Sequence, residues 1–200
     1  PGHCLTIDLS GRVNCERWYS FPKEIGDKPY RRESAGEFRE RLSDAVRLRL
    51  QSDVRVGSCL SGGLDSSSIV SLAAKHSAEP LETFSGCFDE ERYDERKFIQ
   101  PVLEKTGARP HFIFPQGQGF WKEWPELVAA QEEPFGSTSL YAHWCVMREA
   151  SQNKVNVLLN GQGADELLAG YPRYQVNRAL GQILKGNIQG FSSFFKDPRI

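Results

Sequence analysis

The chain alternates between short apolar runs and longer stretches in which apolar residues recur at helical spacing. Runs rich in small and β-branched residues predict strands at 54–60, 81–88, 110–114 and 155–159. After the first run, apolar residues three and four positions apart predict a helix over 65–76. Strands that alternate with helices favour right-handed crossovers, which build a parallel sheet with helices on both faces. The pattern therefore predicts an α/β fold.

Helical spacing recurs in four further segments. Ser34 and Glu37 match a capping box and predict that a helix begins at Ser34. Apolar spacing predicts another helix that ends at Gly107 and two more over 120–130 and 140–149. The third predicted strand has a proline at each end, which indicates a short or edge strand because proline cannot donate to a sheet ladder.

The start of the chain differs from the rest. Residues 4–9 and 12–19 predict two short strands around a Ser10-Gly11 turn. Residues 21–29 hold two prolines and a glycine, which is the composition of a linker. Because a lone two-stranded hairpin is only marginally stable in water, we expect it to belong with sequence outside this chain.

Charge and cysteine usage exclude several classes of protein. The 200 residues carry 25 Lys and Arg against 26 Asp and Glu, a net charge of −1, which argues against a nucleic-acid or acidic-membrane partner. No apolar run is long enough to span a membrane, and the N-terminus lacks the basic and apolar regions of a signal peptide. Five scattered cysteines without a C-x-x-C pair predict free thiols in a reducing compartment. The expected location is the cytoplasm.

A glycine-rich loop, residues 61–67, follows the strand predicted at 54–60. Its two glycines let backbone amides approach an anion closely, and the next helix directs its positive N-terminal end at the same point. Hydroxyl side chains can add further donors. The residues that would build this phosphate cradle are Ser61, Gly62, Gly63, Ser66 and Ser67.

Asp65 lies within this cradle and changes its chemistry. The loop lacks the lysine of G-x-x-x-x-G-K-[ST] and the spacing of G-x-G-x-x-G, so it is neither a P-loop nor a dinucleotide fingerprint. A carboxylate repels phosphate unless it holds Mg²⁺, which then bridges to the phosphate oxygens. The alternative interpretation is a glycine-rich turn in which Asp65 is a helix N-cap.

A second unusual loop, residues 160–166, follows the last and most apolar strand. Ligands in open α/β sheets bind beyond the carboxyl ends of the strands, which is where both loops lie. We therefore expect loops 61–67 and 160–166 to face one binding site.

The sequence Ser61-Gly62-Gly63-Leu64-Asp65-Ser66-Ser67 resembles the pyrophosphate loop of the N-type ATP pyrophosphatases. That loop alone does not exclude other families that resemble it, namely the GMP, NAD and argininosuccinate synthetases and the tRNA-thiolating enzymes. With Asn160-Gly161-Gln162-Gly163-Ala164-Asp165-Glu166-Leu167 and Gly170-Tyr171, the chain resembles the synthetase domain of the glutamine-dependent asparagine synthetases and close kin such as β-lactam synthetase. The implied fold is a Rossmann-like doubly wound parallel sheet of the adenine nucleotide alpha hydrolase-like kind.

The resemblance implies an AMP-forming amidoligase that uses ATP and Mg²⁺. A carboxylate, the aspartate β-carboxyl, would attack the α-phosphorus of ATP and release pyrophosphate. Ammonia from glutamine would then displace AMP to give asparagine. All of these substrates are small molecules. The resemblance is also compatible with a homodimer.

The resemblance also divides the chain into two parts. Pro1-Gly2-His3 resembles the end of the family's amidotransferase domain, so residues 1–33 would be that end with a linker. Residues 34–200 would be the N-terminal part of the synthetase domain. The glutaminase nucleophile and the family's later catalytic lysine are expected outside this chain, which we interpret as a fragment.

Site roles follow from the same resemblance. Asp65 and Asp165, from two different strand ends, would be the Mg²⁺ carboxylates. The residues assigned to ATP and its pyrophosphate are Leu60, Ser61, Gly62, Gly63, Leu64, Asp65, Ser66, Ser67, Ser85, Asn160, Gly161 and Gly163.

Gln162 departs from the family pattern at the catalytic centre. The best-known members carry a glutamate here that is proposed to take a proton as ammonia attacks, and a glutamine side chain is no base near neutral pH. The neighbouring acids that could replace it are Glu133, Glu132 and Glu166, with Glu133 the first choice. Alternatively, Glu133 is a solvated loop acid and Glu166 a structural acid at a helix N-terminus.

Other functions stay open beside this one. Gln162 is also compatible with a non-catalytic ATP-binding pseudoenzyme, and the substrate could be an acid other than aspartate. Sulfur transfer to RNA is disfavoured by the near-neutral charge and the absence of a cysteine pair.

The remaining aromatic and histidine positions favour packing over chemistry. The apolar tail 180–195, with Phe191, Phe194 and Phe195, predicts core or docking surface for sequence outside this chain. His76 and His111 are expected to be surface or core residues rather than bases.

Overall fold

The computed structural model describes residues 2–20, 31–184 and 186 of the chain. Its contacts divide the chain into two units, residues 1–39 and 40–200. The predicted linker at 21–29 and the three phenylalanines of the tail lie outside the described residues. Among the described helices, none combines the length and the apolar character that crossing a membrane requires.

The first unit contains the predicted hairpin. Strands β1 (His3–Ile7) and β2 (Val13–Arg17) pair antiparallel, with His3 opposite Arg17. The Asp8 carboxylate accepts hydrogen bonds from the Ser10 hydroxyl at 2.6 Å and from the Arg12 amide at 2.9 Å, and these bonds lower the pKa of Asp8. The turn is thus closed by an aspartate side chain, and the hairpin prediction is confirmed.

The rest of the described chain alternates helices with strands. The elements are α1 (Arg32–Arg49), β3 (Val56–Cys59), α2 (Leu64–His76), β4 (Glu82–Gly86), α3 (Arg96–Thr106), β5 (Arg109–Ile113), α4 (Gly117–Gln131), α5 (Ser139–Gln152), β6 (Val157–Leu159), α6 (Ala164–Leu168) and α7 (Pro172–Leu184). The prediction that α1 begins at Ser34 is wrong, because the helix begins at Arg32 and the Ser34 amide donates to the Arg31 carbonyl within its first turn. The predicted end of α3 is confirmed, since Gly107 caps it with a left-handed φ of 67°.

The four strands from β3 to β6 form one parallel sheet in the order β5-β4-β3-β6. The connections from β3 to β4 and β5 run in one direction, whereas β6 pairs on the other side of β3. The strand order therefore reverses between β3 and β6. In open α/β sheets the connections diverge at such a switch point and leave a crevice at the carboxyl ends of the strands.

Helices cover both faces of this sheet. The neighbouring residues Leu158 and Leu159 of β6 point to opposite faces, as alternation along a strand requires. Leu159 packs on a core of Leu60, Val70 and Ile99 that joins the sheet to α2 and α3. Leu158 packs on a second core of buried residues that joins the sheet to α5, namely Phe84, Val146, Ala150 and Val155. The predicted doubly covered parallel sheet is confirmed.

The edge strand β5 is held by a charged cluster around Glu82 of β4. The Glu82 carboxylate lies 2.8 Å from His111 Nε2, 3.0 Å from Arg55 Nη2 and 3.4 Å from Arg109 Nη1. Partial burial raises the pKa of Glu82, but His111 and Arg109 outweigh burial and leave the pKa below its ordinary value. His111 also stacks on Phe84 with ring centres 4.5 Å apart. His111 is a structural residue, as predicted.

Candidate nucleotide site at the switch point

The first loop turns from β3 into α2 and is shaped by its own serines. The Ser61 amide donates to the Ser66 hydroxyl at 3.1 Å, and the two hydroxyls lie 3.0 Å apart. Ser66 is only 7% exposed, so its hydroxyl is used to fold the loop back on the first turn of α2. Ser61 is exposed, so a ligand can reach its hydroxyl.

Gly62 and Gly63 have different tasks in this loop. Gly62 has a φ of +77°, and a Cβ there would lie 2.7 Å from Phe98 Cβ at the start of α3, so only glycine fits. Gly63 is the N-cap of α2 and no side chain caps the helix. The interpretation of Asp65 as the N-cap is therefore wrong. The first amides of α2 are available to an anion, as a phosphate cradle requires.

The second loop leads from β6 into the single turn of α6. Asn160 Oδ1 accepts a hydrogen bond from the Gln162 amide at 3.1 Å, and Gly163 follows with a φ of 93°. Asp165 and Glu166 then lie in the first turn of α6. The loop thus projects two carboxylates beyond the carboxyl end of β6.

The two loops touch each other at Gly161. A Cβ on this residue would lie 2.7 Å from Asp65 Cβ, 3.0 Å from the Ser66 nitrogen and 3.1 Å from the Asp65 carbonyl carbon. Gly161 is not among the residues with a left-handed φ, so its backbone conformation alone does not require glycine. The close approach of the two loops requires it instead.

The loops enclose a cleft of about 490 Å³, a volume within the usual range of small-molecule sites. Asp65 and Asp165 both line this cleft. Its other lining residues are Cys59, Ser61, Ser66, His143, Asn160, Gly161, Gln162, Gly163, Glu166 and Tyr171. The structure therefore brings both predicted metal carboxylates and most of the predicted second loop into one cavity.

Several predicted site residues do not line this cleft. The Leu60 side chain is fully buried in the core, and Leu64 is 87% exposed. The hydroxyls of Ser67 and Ser85 are buried and have no hydrogen-bond partner within the described part of the chain. The predicted site residues that do not line the cleft are Leu60, Gly62, Gly63, Leu64, Ser67, Ser85 and Glu133.

Glu132 and Glu133 lie on the exposed segment between α4 and α5. Glu132 has a left-handed φ of 57° and ends α4. Of the three acids considered as replacements for the family glutamate, only Glu166 lines the cleft.

His143 and Cys59 also line the cleft, and neither is predicted from the sequence as a site residue. His143 projects from α5, and its Nε2 is buried without a hydrogen-bond partner among the residues described. Local sequence carries no signal for His143, because only the packing of α5 on the sheet brings it to the cleft. Cys59 could have been found, since it is the last residue of the strand before the first loop.

The carboxylates of the cleft suit a metal ion that arrives with a polyphosphate. Asp65 and Asp165 are the two candidates, and the described residues contain no group of three or more His, Cys, Asp or Glu that could hold a metal. Mg²⁺ in phosphate-transfer sites is bound through one or two carboxylates, with phosphate oxygens and water as the other ligands. The donor set fits that mode.

Burial makes Cys59 a slow nucleophile. Loss of solvent raises the pKa of its thiol to about 11, and the thiolate is the reactive form. At pH 8 we expect iodoacetamide to label the exposed Cys4 and Cys15 well before Cys59. Between pH 8 and 10, Cys59 labelling should accelerate by about tenfold per pH unit, measured by peptide mass spectrometry. If Cys59 were labelled as fast as Cys4 at pH 8, the result would contradict a raised pKa for the Cys59 thiol.

Comparison with known proteins identifies the family. The family model described as asparagine synthase matches residues 37–189, which include both loops. A Mycobacterium tuberculosis protein assigned as a glutamine-hydrolysing asparagine synthetase is 37% identical over 134 residues, 67% of this chain and 20% of that protein. Asparagine synthetase [glutamine-hydrolyzing] 1 of Bacillus subtilis is 32% identical over 178 residues, 88% of this chain and 27% of that protein.

Comparison with solved structures gives a partial match. The NH3-dependent NAD synthetase of Campylobacter jejuni is 14% identical, with a TM-score of 0.45 over 68% of this chain and 60% of that chain. This chain spans less than a third of the length of the two curated relatives above. On the family match, and with both loops inside it, the chain belongs to the asparagine synthase family.

Proposed function

We propose that the cleft between β3 and β6 binds ATP with Mg²⁺ in an AMP-forming amidoligase. The substrate would be the aspartate β-carboxylate, and ammonia from glutamine would complete the synthesis of asparagine. The observation that carries the proposal is the contact of Gly161 with Asp65, which gives the two loops one common cleft. The relatives named as glutamine-hydrolysing asparagine synthetases support the substrates.

In the first step a carboxylate oxygen of the substrate bonds to the α-phosphorus while the bond from that phosphorus to the bridging oxygen breaks. Negative charge then collects on the departing pyrophosphate. The uncapped amides at the start of α2 and the exposed Ser61 hydroxyl would donate to it, and fixed donors stabilise charge where it develops. Asp65 and Asp165 would hold Mg²⁺, which neutralises phosphate charge when bound.

In the second step ammonia attacks the acyl carbon of the acyl-adenylate, the bond from that carbon to the phosphate oxygen breaks, AMP leaves, and the attacking nitrogen must lose a proton. Gln162 lines the cleft but cannot accept that proton, because an amide is not a base at neutral pH. Glu166 lines the same cleft, which favours it as the acceptor. Glu133 stays a prediction that requires the segment between α4 and α5 to approach the cleft.

The domain assignment is part of the proposal. Residues 1–33 would be the end of a glutaminase domain with its linker, and residues 34–200 the N-terminal part of a synthetase domain. The family match begins at residue 37, close to this boundary, and the chain spans 20% and 27% of the two relatives compared above. The remaining catalytic parts would then lie in the complete protein that carries this chain.

The complete protein provides the direct test. It is incubated with ATP, Mg²⁺, ammonia or glutamine and a panel of amino acids, and the products are measured by mass spectrometry. We expect AMP, pyrophosphate and asparagine in equal amounts, with AMP formation dependent on aspartate. Formation of ADP and phosphate would contradict an AMP-forming ligase.

Gln162 supports a second candidate, a protein that binds ATP without turnover. It would bind ATP with Mg²⁺ and form no AMP with any acid in the panel. A third outcome, AMP formation with an acid other than aspartate, would keep the reaction class and change the substrate.

A further inference from the structure

We propose that Gly170 and Tyr171 act as a clamp that positions the two carboxylates of α6, Asp165 and Glu166. This inference rests on the proposed function, since it concerns the same cleft. Helix α6 is a single turn of five residues bounded by two left-handed residues, Gly163 at φ 93° and Ala169 at φ 56°. These reversals bring the chain back so that the residues after α6 lie against its first turn.

Gly170 holds Asp165. The Gly170 amide donates to the Asp165 carbonyl at 3.0 Å. A Cβ on Gly170 would collide with Asp165 Oδ1 and lie 2.9 Å from its Cγ. Gly170 is not among the residues with a left-handed φ, so its backbone would accept alanine. The position of the Asp165 carboxylate is what excludes a side chain there.

Tyr171 holds Glu166. The Tyr171 hydroxyl donates to Glu166 Oε1 at 2.9 Å, and this bond raises the pKa of the tyrosine. The Arg173 guanidinium lies over the Tyr171 ring, 4.8 Å from its centre, and this cation–π contact restrains the ring further. Tyr171 and both carboxylates line the cleft. The Tyr171 hydroxyl therefore fixes the Glu166 carboxylate in the cleft that Asp165 also lines.

The clamp predicts a defect in metal-dependent binding rather than in folding. In Gly170→Ala the methyl group overlaps the end of the Asp165 side chain, which can rotate away. It also lies 3.3 Å from Asp165 Cα, a contact that a small shift relieves at little cost to the fold. The displaced carboxylate would then be a poorer ligand. Outer partners that orient metal ligands typically change metal affinity by about tenfold or more when replaced.

The test uses the complete protein and the non-hydrolysable analogue α,β-methylene-ATP. Calorimetry at a series of Mg²⁺ concentrations measures binding without turnover. We expect Gly170→Ala to raise the Mg²⁺ concentration for half-maximal binding by about tenfold, with an unchanged melting temperature. Gly117→Ala is the matched control, because a Cβ there has no atom within 4 Å. Wild-type Mg²⁺ dependence in Gly170→Ala would overturn the Gly170 half of the clamp.

Tyr171→Phe tests the other half. We expect it to keep wild-type Mg²⁺ dependence and to lower the amount of amide formed per AMP, because Glu166 loses its position but the metal ligands do not. An unchanged ratio of amide to AMP would overturn the role of Tyr171. If the wild type binds the analogue but forms no AMP from ATP, the proposed function fails while the Gly170 test still stands. If the wild type does not bind the analogue, both fail.

Discussion

In the complete protein, Asp65→Asn is expected to lower AMP formation by about a hundredfold or more, the size of effect seen when a charge-stabilising group is lost from a transition state. Asp65 lines the cleft in the first turn of α2, beside amides that no side chain caps. Asparagine keeps the shape of the side chain, including the Cβ that packs against Gly161. The loss would therefore report the missing charge and not a changed loop.

The control for this variant is Asp53→Asn. Asp53 is exposed and lies outside the cleft, so the same change of charge there should leave AMP formation unaltered. The quantity to measure is the initial rate of AMP release at saturating aspartate over a range of Mg²⁺ concentrations. A rate for Asp65→Asn close to that of the wild type would remove Asp65 from the metal site.

Gly161→Ala is expected to separate the two loops and to have the second large effect. The new methyl group would lie 2.7 Å from Asp65 Cβ and 3.0 Å from the Ser66 nitrogen, closer than ordinary van der Waals contact. The Ser66 nitrogen is a main-chain atom, as is the Asp65 carbonyl carbon at 3.1 Å, so the loops themselves must move. We expect a loss of about 1–3 kcal/mol in the free energy of unfolding, which is typical of overpacking. A shift of about 1 Å in a site commonly costs about a hundredfold in rate.

The matched control is Gly136→Ala, because a Cβ at Gly136 has no atom within 4 Å. Thermal unfolding, binding of α,β-methylene-ATP and AMP formation are measured for both variants. The prediction is weak nucleotide binding and slow AMP formation in Gly161→Ala only. Equal binding by the two variants would show that loop contact at Gly161 is not needed for the site.

Local sequence predicts most of the fold, because the spacing of apolar residues distinguishes strands from helices. The apolar runs place the four strands of the parallel sheet, and the prolines around the third run identify β5 as an edge strand. The start of α1 is the clearest error, because a capping box at Ser34 competes with two residues that continue the helix to Arg32. The sequence does not predict where helix α7 begins or ends, since this segment mixes polar and apolar residues without a clear stop signal.

The site is predictable only in part, because strand order brings it together. Chemistry-bearing residues at the strand ends could be read from the loops at 61–67 and 160–166. Their contact depends on β6 pairing with β3, which no local pattern specifies. The same limit explains His143, which reaches the cleft only through the packing of α5. For Leu60, strand alternation sends the side chain into the core, so any contact with a nucleotide would use its backbone.

The most direct test of the proposed reaction is an isotope-labelling experiment that measures where the oxygen of the substrate carboxylate goes. The complete protein is incubated with ATP, Mg²⁺, ammonia and aspartate whose β-carboxylate carries ¹⁸O, and the AMP is analysed by mass spectrometry. If a carboxylate attacks the α-phosphorus in the cleft, one carboxylate oxygen becomes bonded to phosphorus. When ammonia then displaces AMP, that oxygen stays on phosphorus, and each AMP carries one ¹⁸O. AMP without the label, or ADP in its place, would contradict the account.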